Sequence, residues 1–361
     1  MRRSVTCAGH KLPVSAKKPA NRKGRFAGLY RGVLAVMLLL TAPSLTAQQA
    51  GTLGPVDGAV RHVAGEPKAA PLRFFALGDV PYGQSEVAPM QRLLDAAAAE
   101  RSPFIVHLGD IKAGSALCSD AHLQSIAGIF RALPMPVVYT PGDNEWTDCH
   151  RKGAGGWDPQ ERLERLREVF FGDHSVLRLA DLGAKYASDQ FPEIYDFLVG
   201  DVLFVALHLV GSNNGLDPDR QSSMAEFTRR EAANQAFLTR SLAFAKRQGV
   251  RALVLMMQAD PLFESGRGPD GFRSFKDQLI SLMSQFSGPV LLLHGDTHVY
   301  RHDHPLLDPM RGTPFERLTR VEVPGSPTVG GVWITVDPGR QQPFATSRVD
   351  AVSLQILESG G

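Results

Sequence analysis

Four apolar segments of this chain end in the same way. LRFFALGDV (72–80), PFIVHLGD (103–110), PVVYTPGDNE (136–145) and PVLLLHGD (289–296) each run into a Gly-Asp. Short runs this rich in Val, Leu, Ile and Phe read as strands, and unbroken apolar runs read as strands covered on both faces. Helical patterns lie between them at Val87–Arg101, at Ser119–Leu133 with Ser119 as cap, and at Pro159–Phe171, which carries Glu/Arg pairs at helical spacing. Ile194–Val199 and Val202–Leu209 read as a hairpin around Gly200-Asp201. A long amphipathic helix over Ser223–Gln248, a strand at RALVLMMQ (251–258) and a helix over Phe272–Phe286 follow. This alternation predicts an α/β fold with parallel or mixed sheet and helices outside. The strand-like tail from Leu318 predicts a second sheet packed on the first.

The Gly-Asp endings carry the chemistry. In open α/β sheets, ligands bind beyond the carboxyl ends of the strands. Asp79, Asp110, Asp143 and Asp296 all fall at such ends. Brought together, four carboxylates repel one another unless cations lie between them. The pattern therefore predicts a divalent-metal centre built mainly from hard oxygen ligands. His298, two residues after Asp296, adds an imidazole, and Asn144 and Glu145 stand beside Asp143. A single Gly-Asp after a strand is often only a turn with a helix cap; four in the same element context say more.

Charge must be read without the first 47 residues. They hold nine Lys or Arg and no Asp or Glu, whereas the whole chain has 39 basic and 37 acidic residues. The remainder is net acidic, which disfavours a nucleic-acid binder. Residues 1–47 read as a signal peptide: a basic stretch, an apolar run of about eleven residues at Gly32–Ala42, and a small-residue cut site after Ala47. That run is too short for a membrane span. Residues 48–71, rich in Gly, Ala and Pro, read as a flexible stalk, and 72–361 as the catalytic domain. Export to the periplasm or medium fits the cysteines: past Cys7 only Cys118 and Cys149 remain, and a disulfide between them is expected.

The order GD…GD…GDNE…QADP…HGDTH over roughly 72–340 resembles the calcineurin-like metallophosphoesterases. The resemblance implies a four-layer α/β/β/α sandwich with two mixed β-sheets. It implies two metal ions about 3.5–4 Å apart, and attack of a metal-activated water on the phosphorus of an ester. The chain departs from the family's pattern in places. The first motif, Asp-x-His, reads Asp79-Val80-Pro81-Tyr82. The third, Gly-Asn-His-Asp/Glu, reads Gly142-Asp143-Asn144-Glu145. Gln258 occupies the place of a strand-end His, and Asp296 that of the first His of Gly-His-x-His, while His298 keeps the second.

Carried over position by position, the resemblance implies one metal held by Asp79, Asp110 and His298. A second would be held by Asp110, Asp143, Asp296 and Gln258. Such oxygen-rich sets favour Mn, Mg or Ca over Fe or Zn. Tyr82 or His294 would fill the gap left at Pro81, and a one-residue shift would exchange Asp143 and Asn144. Asn144 stands where the family has its catalytic His, yet an amide cannot protonate a leaving alkoxide. Glu145, His208 and His150 are the further catalytic candidates, and the GSNNG loop (211–215) is suited to hydrogen-bonding phosphate or sugar. The loop 144–159, with Trp146, Arg151, Lys152 and Trp157, is a candidate for gripping an anionic substrate. His107 reads as a core histidine.

The expected partner is a small phosphorylated substrate. Two other readings compete with the hydrolase: a metal- or phosphate-binding module of the same fold without turnover, and a domain rigidified by calcium.

Overall fold

The computed structural model describes residues 70–262 and 269–353 and the backbone of 356–357. The expected signal peptide and nearly all of the expected stalk lie outside the described residues. Among those residues no helix is long and apolar enough to cross a membrane.

Two sheets face each other. The first has the order β13-β12-β11-β1-β2-β3 and the second β4-β5-β6-β7-β8-β10-β9. In the first, β1 (Leu72–Leu77), β2 (Ile105–His107) and β3 (Val137–Tyr139) run parallel. On the other side of β1 pairs β11 (Gly330–Val336), antiparallel, followed by β12 (Phe344–Asp350) and β13 (Ile356–Leu357). In the second, β6 (Val202–Ala206), β7 (Ala252–Met256), β8 (Val290–His294) and β10 (Leu318–Glu322) run parallel. Antiparallel β4 (Lys185–Ser188) and β5 (Phe191–Val199) extend one edge, and β9 (Arg301–Asp303) the other. Both sheets are mixed. The tail does not form a sheet of its own, contrary to the expectation: β10 joins one sheet and β11 to β13 the other. The sequence marks these residues as strands, but partner choice is set by long-range packing that a local pattern does not encode.

The unbroken apolar strands explain the layers. Successive side chains of a strand point to opposite faces. In β7, Val254 and Met256 pack into the core between the sheets, while Leu253 and Leu255 face the other way. There they meet Phe237, Leu238 and Leu242 of α4 (Gln221–Gln248) and Leu279 and Leu282 of α5 (Arg273–Gln285). The first sheet is covered in the same way by α1 (Gln84–Ala99) and α2 (Asp120–Ala132), through Leu93, Leu94, Ile126 and Phe130. Ser119 caps α2, its hydroxyl accepting from the His122 N–H at 3.2 Å. A further helix, α3 (Pro159–Arg167), runs on into a π-turn at Glu168–Gly172. The result is a four-layer α/β/β/α sandwich. Its strands β1, β2, β3, β7 and β8 deliver their carboxyl ends to one common edge.

Candidate metal centre

The Gly-Asp turns follow from crowding at that edge. A Cβ on Gly142 would collide with Asp110 Oδ1, and one on Gly295 with Asp79 Oδ2. Each glycine lets the backbone approach a carboxylate from another strand end. Asp79, Asp110, Asp296 and His298 all adopt left-handed backbone conformations, with φ of 54°, 52°, 87° and 64°. Such strain in non-glycine residues gathers at functional sites. The two sheets are tied here: the Asp296 N–H donates to both carboxylate oxygens of Asp79, at 3.0 and 3.1 Å.

The cluster has two ends. At one, Tyr82 Oη donates to Asp110 Oδ2 at 3.0 Å and lies 3.0 Å from His298 Nε2, which is itself 3.8 Å from Asp79 Oδ1. Tyr82, not His294, therefore fills the place opposite Pro81. His294 is fully buried, its Nδ1 bonded to the Gly295 carbonyl at 2.8 Å. At the other end, Asp143 Oδ1 and Asp296 Oδ1 both lie within 2.8 Å of the point where a Cβ on Gly211 would sit. Ser212 Oγ donates to Asp143 Oδ2 at 2.7 Å. Ser212, Asn213 and Asn214 form a left-handed turn, with φ from 54° to 57°. Both Asp143 and Asn144 reach the cluster, so the two alternatives of the sequence reading are not exclusive.

Burial pushes the carboxyl pKa values of Asp79 and Asp110 well above the usual range, and neighbouring carboxylates push them further. Asp143 rises to about 7, first through burial and then through Asp148 and Asp296. Among the described residues no lysine or arginine pairs with any of these three. Lys112, the nearest, gives its Nζ to the Asn144 carbonyl at 2.7 Å. The charge of Lys112 reaches Asp110 and Asp143 only from a distance, and divalent ions would supply the rest. His298 is arranged as a metal-ligating histidine is: Nδ1–H donates to the Ser326 carbonyl at 2.6 Å, leaving Nε2 free to accept. Asp79, Asp110, Asp143, Asp296 and His298 are the groups that would hold a divalent cation here.

Four of the expected residues play different parts. Gln258 accepts from the Gly211 N–H at 2.7 Å and donates to Asp296 Oδ1 at 3.1 Å, so both ends of its amide are engaged beside the cluster. Asn144 donates through its amide to Asp110 Oδ2 at 2.6 Å and through its backbone N–H to Oδ1 at 3.1 Å. It aims Asp110 and has no proton to deliver. Glu145 accepts through Oε1 from Tyr139 Oη, the Gly142 N–H and the Asp110 N–H, at 2.7 to 3.1 Å, so it braces two of the turns from behind. His208 is sealed from solvent: its Nδ1 bonds Glu193 at 2.9 Å and its ring lies against Trp146. Two residues of the 144–159 loop are already engaged. Trp146 is buried beneath Arg230, and Arg151 is paired with Asp148. Cys118 and Cys149 are joined, with Cα atoms 5.8 Å apart, at the back of Asn144.

Among the described residues only Asp260, His294 and Glu322 bring three ligand atoms within 4.8 Å of one another, so no three of the aspartates and His298 are gathered that tightly. Asp260, however, accepts from Arg320 at 3.1 Å, and Glu322 is paired with Arg301. These guanidinium groups already balance both carboxylates, and another cation there would be buried against two positive charges. The group works as a brace. Glu322 accepts from the Thr297 N–H at 3.0 Å, and the Asp260 N–H donates to Asp296 Oδ2 at 3.2 Å. The sequence reading missed Ser212, Lys112, Asp260 and Glu322. Of these, Ser212 had a signal in the GSNNG loop and Lys112 in its place two residues after Asp110.

No family model matches the chain, and no curated protein matches it. Among solved structures, PhoD aligns with a TM-score of 0.52 at 13% identity, over 82% of this chain and 73% of its own. A purple acid phosphatase from yellow lupin (Lupinus luteus) seeds aligns with a TM-score of 0.50 at 12% identity over 81% of this chain, which spans 53% of that protein's length. At such identities the likeness concerns the fold: this chain has the metallophosphoesterase-type sandwich.

Proposed function

We propose that this protein is an exported, metal-dependent hydrolase of phosphate esters, acting in the periplasm or outside the cell on a small phosphorylated substrate. The observation that carries the reading is the cation-poor cluster of Asp79, Asp110, Asp143 and Asp296 beside a histidine already set in the ligating tautomer. Bound divalent ions would supply an acidified water and neutralise charge on the phosphoryl oxygens. The chain's own groups do the rest. The five ligands hold the charge at the strand ends, and Asn144 fixes the aim of Asp110. Tyr82, whose pKa burial and Asp110 push upward, keeps its proton, and its O–H, which Asp110 accepts here, would turn to a phosphoryl oxygen. One water is consumed per ester. Its oxygen bonds to phosphorus, the bond to the leaving oxygen breaks, and a proton from the water ends on the leaving alcohol.

The test is metal analysis of the purified protein, with hydrolysis of p-nitrophenyl phosphate and bis-p-nitrophenyl phosphate in Mn, Mg or Ca. Turnover that Asp110→Asn abolishes is expected. No bound metal and no turnover with any divalent cation would overturn the reading. A second reading, a binding module without turnover, draws support from Asn144, which cannot act as an acid. It predicts metal-dependent phosphate binding and no hydrolysis.

A further inference from the structure

A cavity of about 260 Å3 opens one side chain away from Asp143. Ser212 forms the shared wall: its Oγ bonds Asp143 Oδ2 at 2.7 Å, and the residue also lines the cavity. Asp148, 3.4 Å from the same hydroxyl, lines it too. The cavity therefore adjoins the Asp143 end of the strand-end cluster. The volume lies just below the range of drug-sized sites, which suits a single ring or a short polyol.

The charge of the lining decides what enters. Two guanidinium groups, Arg151 and Arg220, face four carboxylates, those of Asp148, Asp158, Asp217 and Glu226. Arg151 is paired with Asp148, and Arg220 Nε bonds Asp217 Oδ2 at 2.6 Å. Glu226 is held from behind by Arg230 at 2.8 Å. His150 Nδ1 lies 2.6 Å from the Thr147 carbonyl, and its Nε2 faces Arg220 Nη2 at 3.4 Å. Both lining guanidinium groups are already engaged by carboxylates, and a second anionic group would sit against further carboxylates. Hydroxyl groups suit the same wall, because each both donates and accepts. Gln160, Ser222 and Ser223 add neutral partners.

We infer that this cavity receives an uncharged, hydroxylated leaving group, so that the preferred substrates are phosphate esters of neutral alcohols of sugar or glycerol size. The inference rests on the hydrolase reading and names its substrate class. The reaction balances as ester plus water giving neutral alcohol plus inorganic phosphate.

The experiment compares kcat/KM for glucose 6-phosphate and glycerol 2-phosphate with that for ADP and pyrophosphate, in the Mn-loaded protein. Turnover of p-nitrophenyl phosphate is checked first. The neutral-alcohol esters should lead by at least tenfold. Asp217→Asn, which frees Arg220 and lies outside the metal cluster, should narrow that ratio at least fivefold while the bound metal content stays that of the parent. If p-nitrophenyl phosphate is hydrolysed but the anionic substrates match or exceed the esters, the cavity assignment falls and the hydrolase reading stands. An unchanged ratio in Asp217→Asn also overturns the assignment. If nothing is hydrolysed with any divalent ion, the hydrolase reading falls and takes this assignment with it.

Discussion

Tyr82 Oη lies 3.0 Å from His298 Nε2, although 216 positions separate the two residues. The contact joins the end of the first strand to the last motif, and Asp110 and Asn144 meet the same hydroxyl at 3.0 Å. One phenol thus touches three side chains of the centre while belonging to a motif that lacks its expected histidine.

Replacing it isolates what the hydroxyl does. Tyr82→Phe keeps the ring but removes an O–H donor aimed at the site. Loss of one such donor costs about 100-fold in kcat in comparable sites. The expected result is a kcat on p-nitrophenyl phosphate lower by about that factor, with KM and bound metal near the parent values. A kcat within threefold of the parent would show that the phenol only fills space.

Asp143 gives a crossover in stability. Its folded pKa is raised to about 7 against 3.8 unfolded, first by burial, then by Asp148 and Asp296. Between those values the folded metal-free protein binds more protons than the unfolded chain, so stability falls as pH rises through that window. Above pH 7 the full penalty, about 4 kcal/mol, is present. Asp143→Asn should therefore melt higher than the parent at pH 8 without metal, and no higher at pH 4. Added Mn should reverse the order at pH 8, because only the parent gains from binding. Thermal melts of both proteins with chelator and with Mn check this. A variant that melts lower than the parent in chelator at pH 8 would contradict it.

Much of this centre was legible in the sequence because one local rule repeats. Each Gly-Asp sits just past an apolar strand, and the fold's edge does the gathering. That rule places Asp79, Asp110, Asp143 and Asp296 at one edge, with His298 two residues beyond the last. Tyr82 was legible as a candidate, since Pro81 left a gap beside it. What was not legible depends on three-dimensional partners. Gln258 looks like a free oxygen in a line of letters, but its carbonyl accepts from the Gly211 N–H and its amide donates to Asp296. His208 looks like a proton donor at a strand end, but Glu193 and Trp146 enclose it. Likewise Arg151 looks free until Asp148 is placed beside it. The destination of β10 and β11 is of the same kind: strand character is local, and strand pairing is not.

The disulfide connects stability to the site. Cys118 and Cys149 close a separation of 31 residues that contains β3 and the Asp143 turn, and their sulfurs lie 3.7 and 3.8 Å from the Asn144 carbonyl. A loop of that length corresponds to about 4 kcal/mol in the chain-entropy model. Reduction, or the double substitution Cys118→Ser and Cys149→Ser, should lower the unfolding free energy by about that much. Because Asn144 aims Asp110, it should also weaken metal retention. Denaturant titrations with and without dithiothreitol, followed by metal analysis, test both. Unchanged stability on verified reduction would refute the first part.

His107 governs the acid side of the stability curve. It sits at the end of β2, fully buried, with Nε2–H donating to the Val80 carbonyl at 2.9 Å and its ring against Phe130 and Tyr139. Burial lowers its pKa from 6.5 to about 4, despite the Val80 bond that favours the charged form. The unfolded chain therefore binds a proton below pH 6.5 that the folded chain refuses until about 4. The stability this contributes is fully present above pH 6.5 and is lost as pH falls through that window. Between pH 7 and 4.5 the loss is about 2–3 kcal/mol from this group alone. His107→Gln keeps an N–H donor and removes the titration. Urea titrations at pH 7, 5.5 and 4.5 should show the parent losing about 2–3 kcal/mol more than the variant across that span. The buried aspartates act in the opposite direction in both proteins, so their effect cancels in the difference. Parallel stability curves for the two proteins would mean that His107 takes up its proton in the folded state as readily as in the unfolded chain.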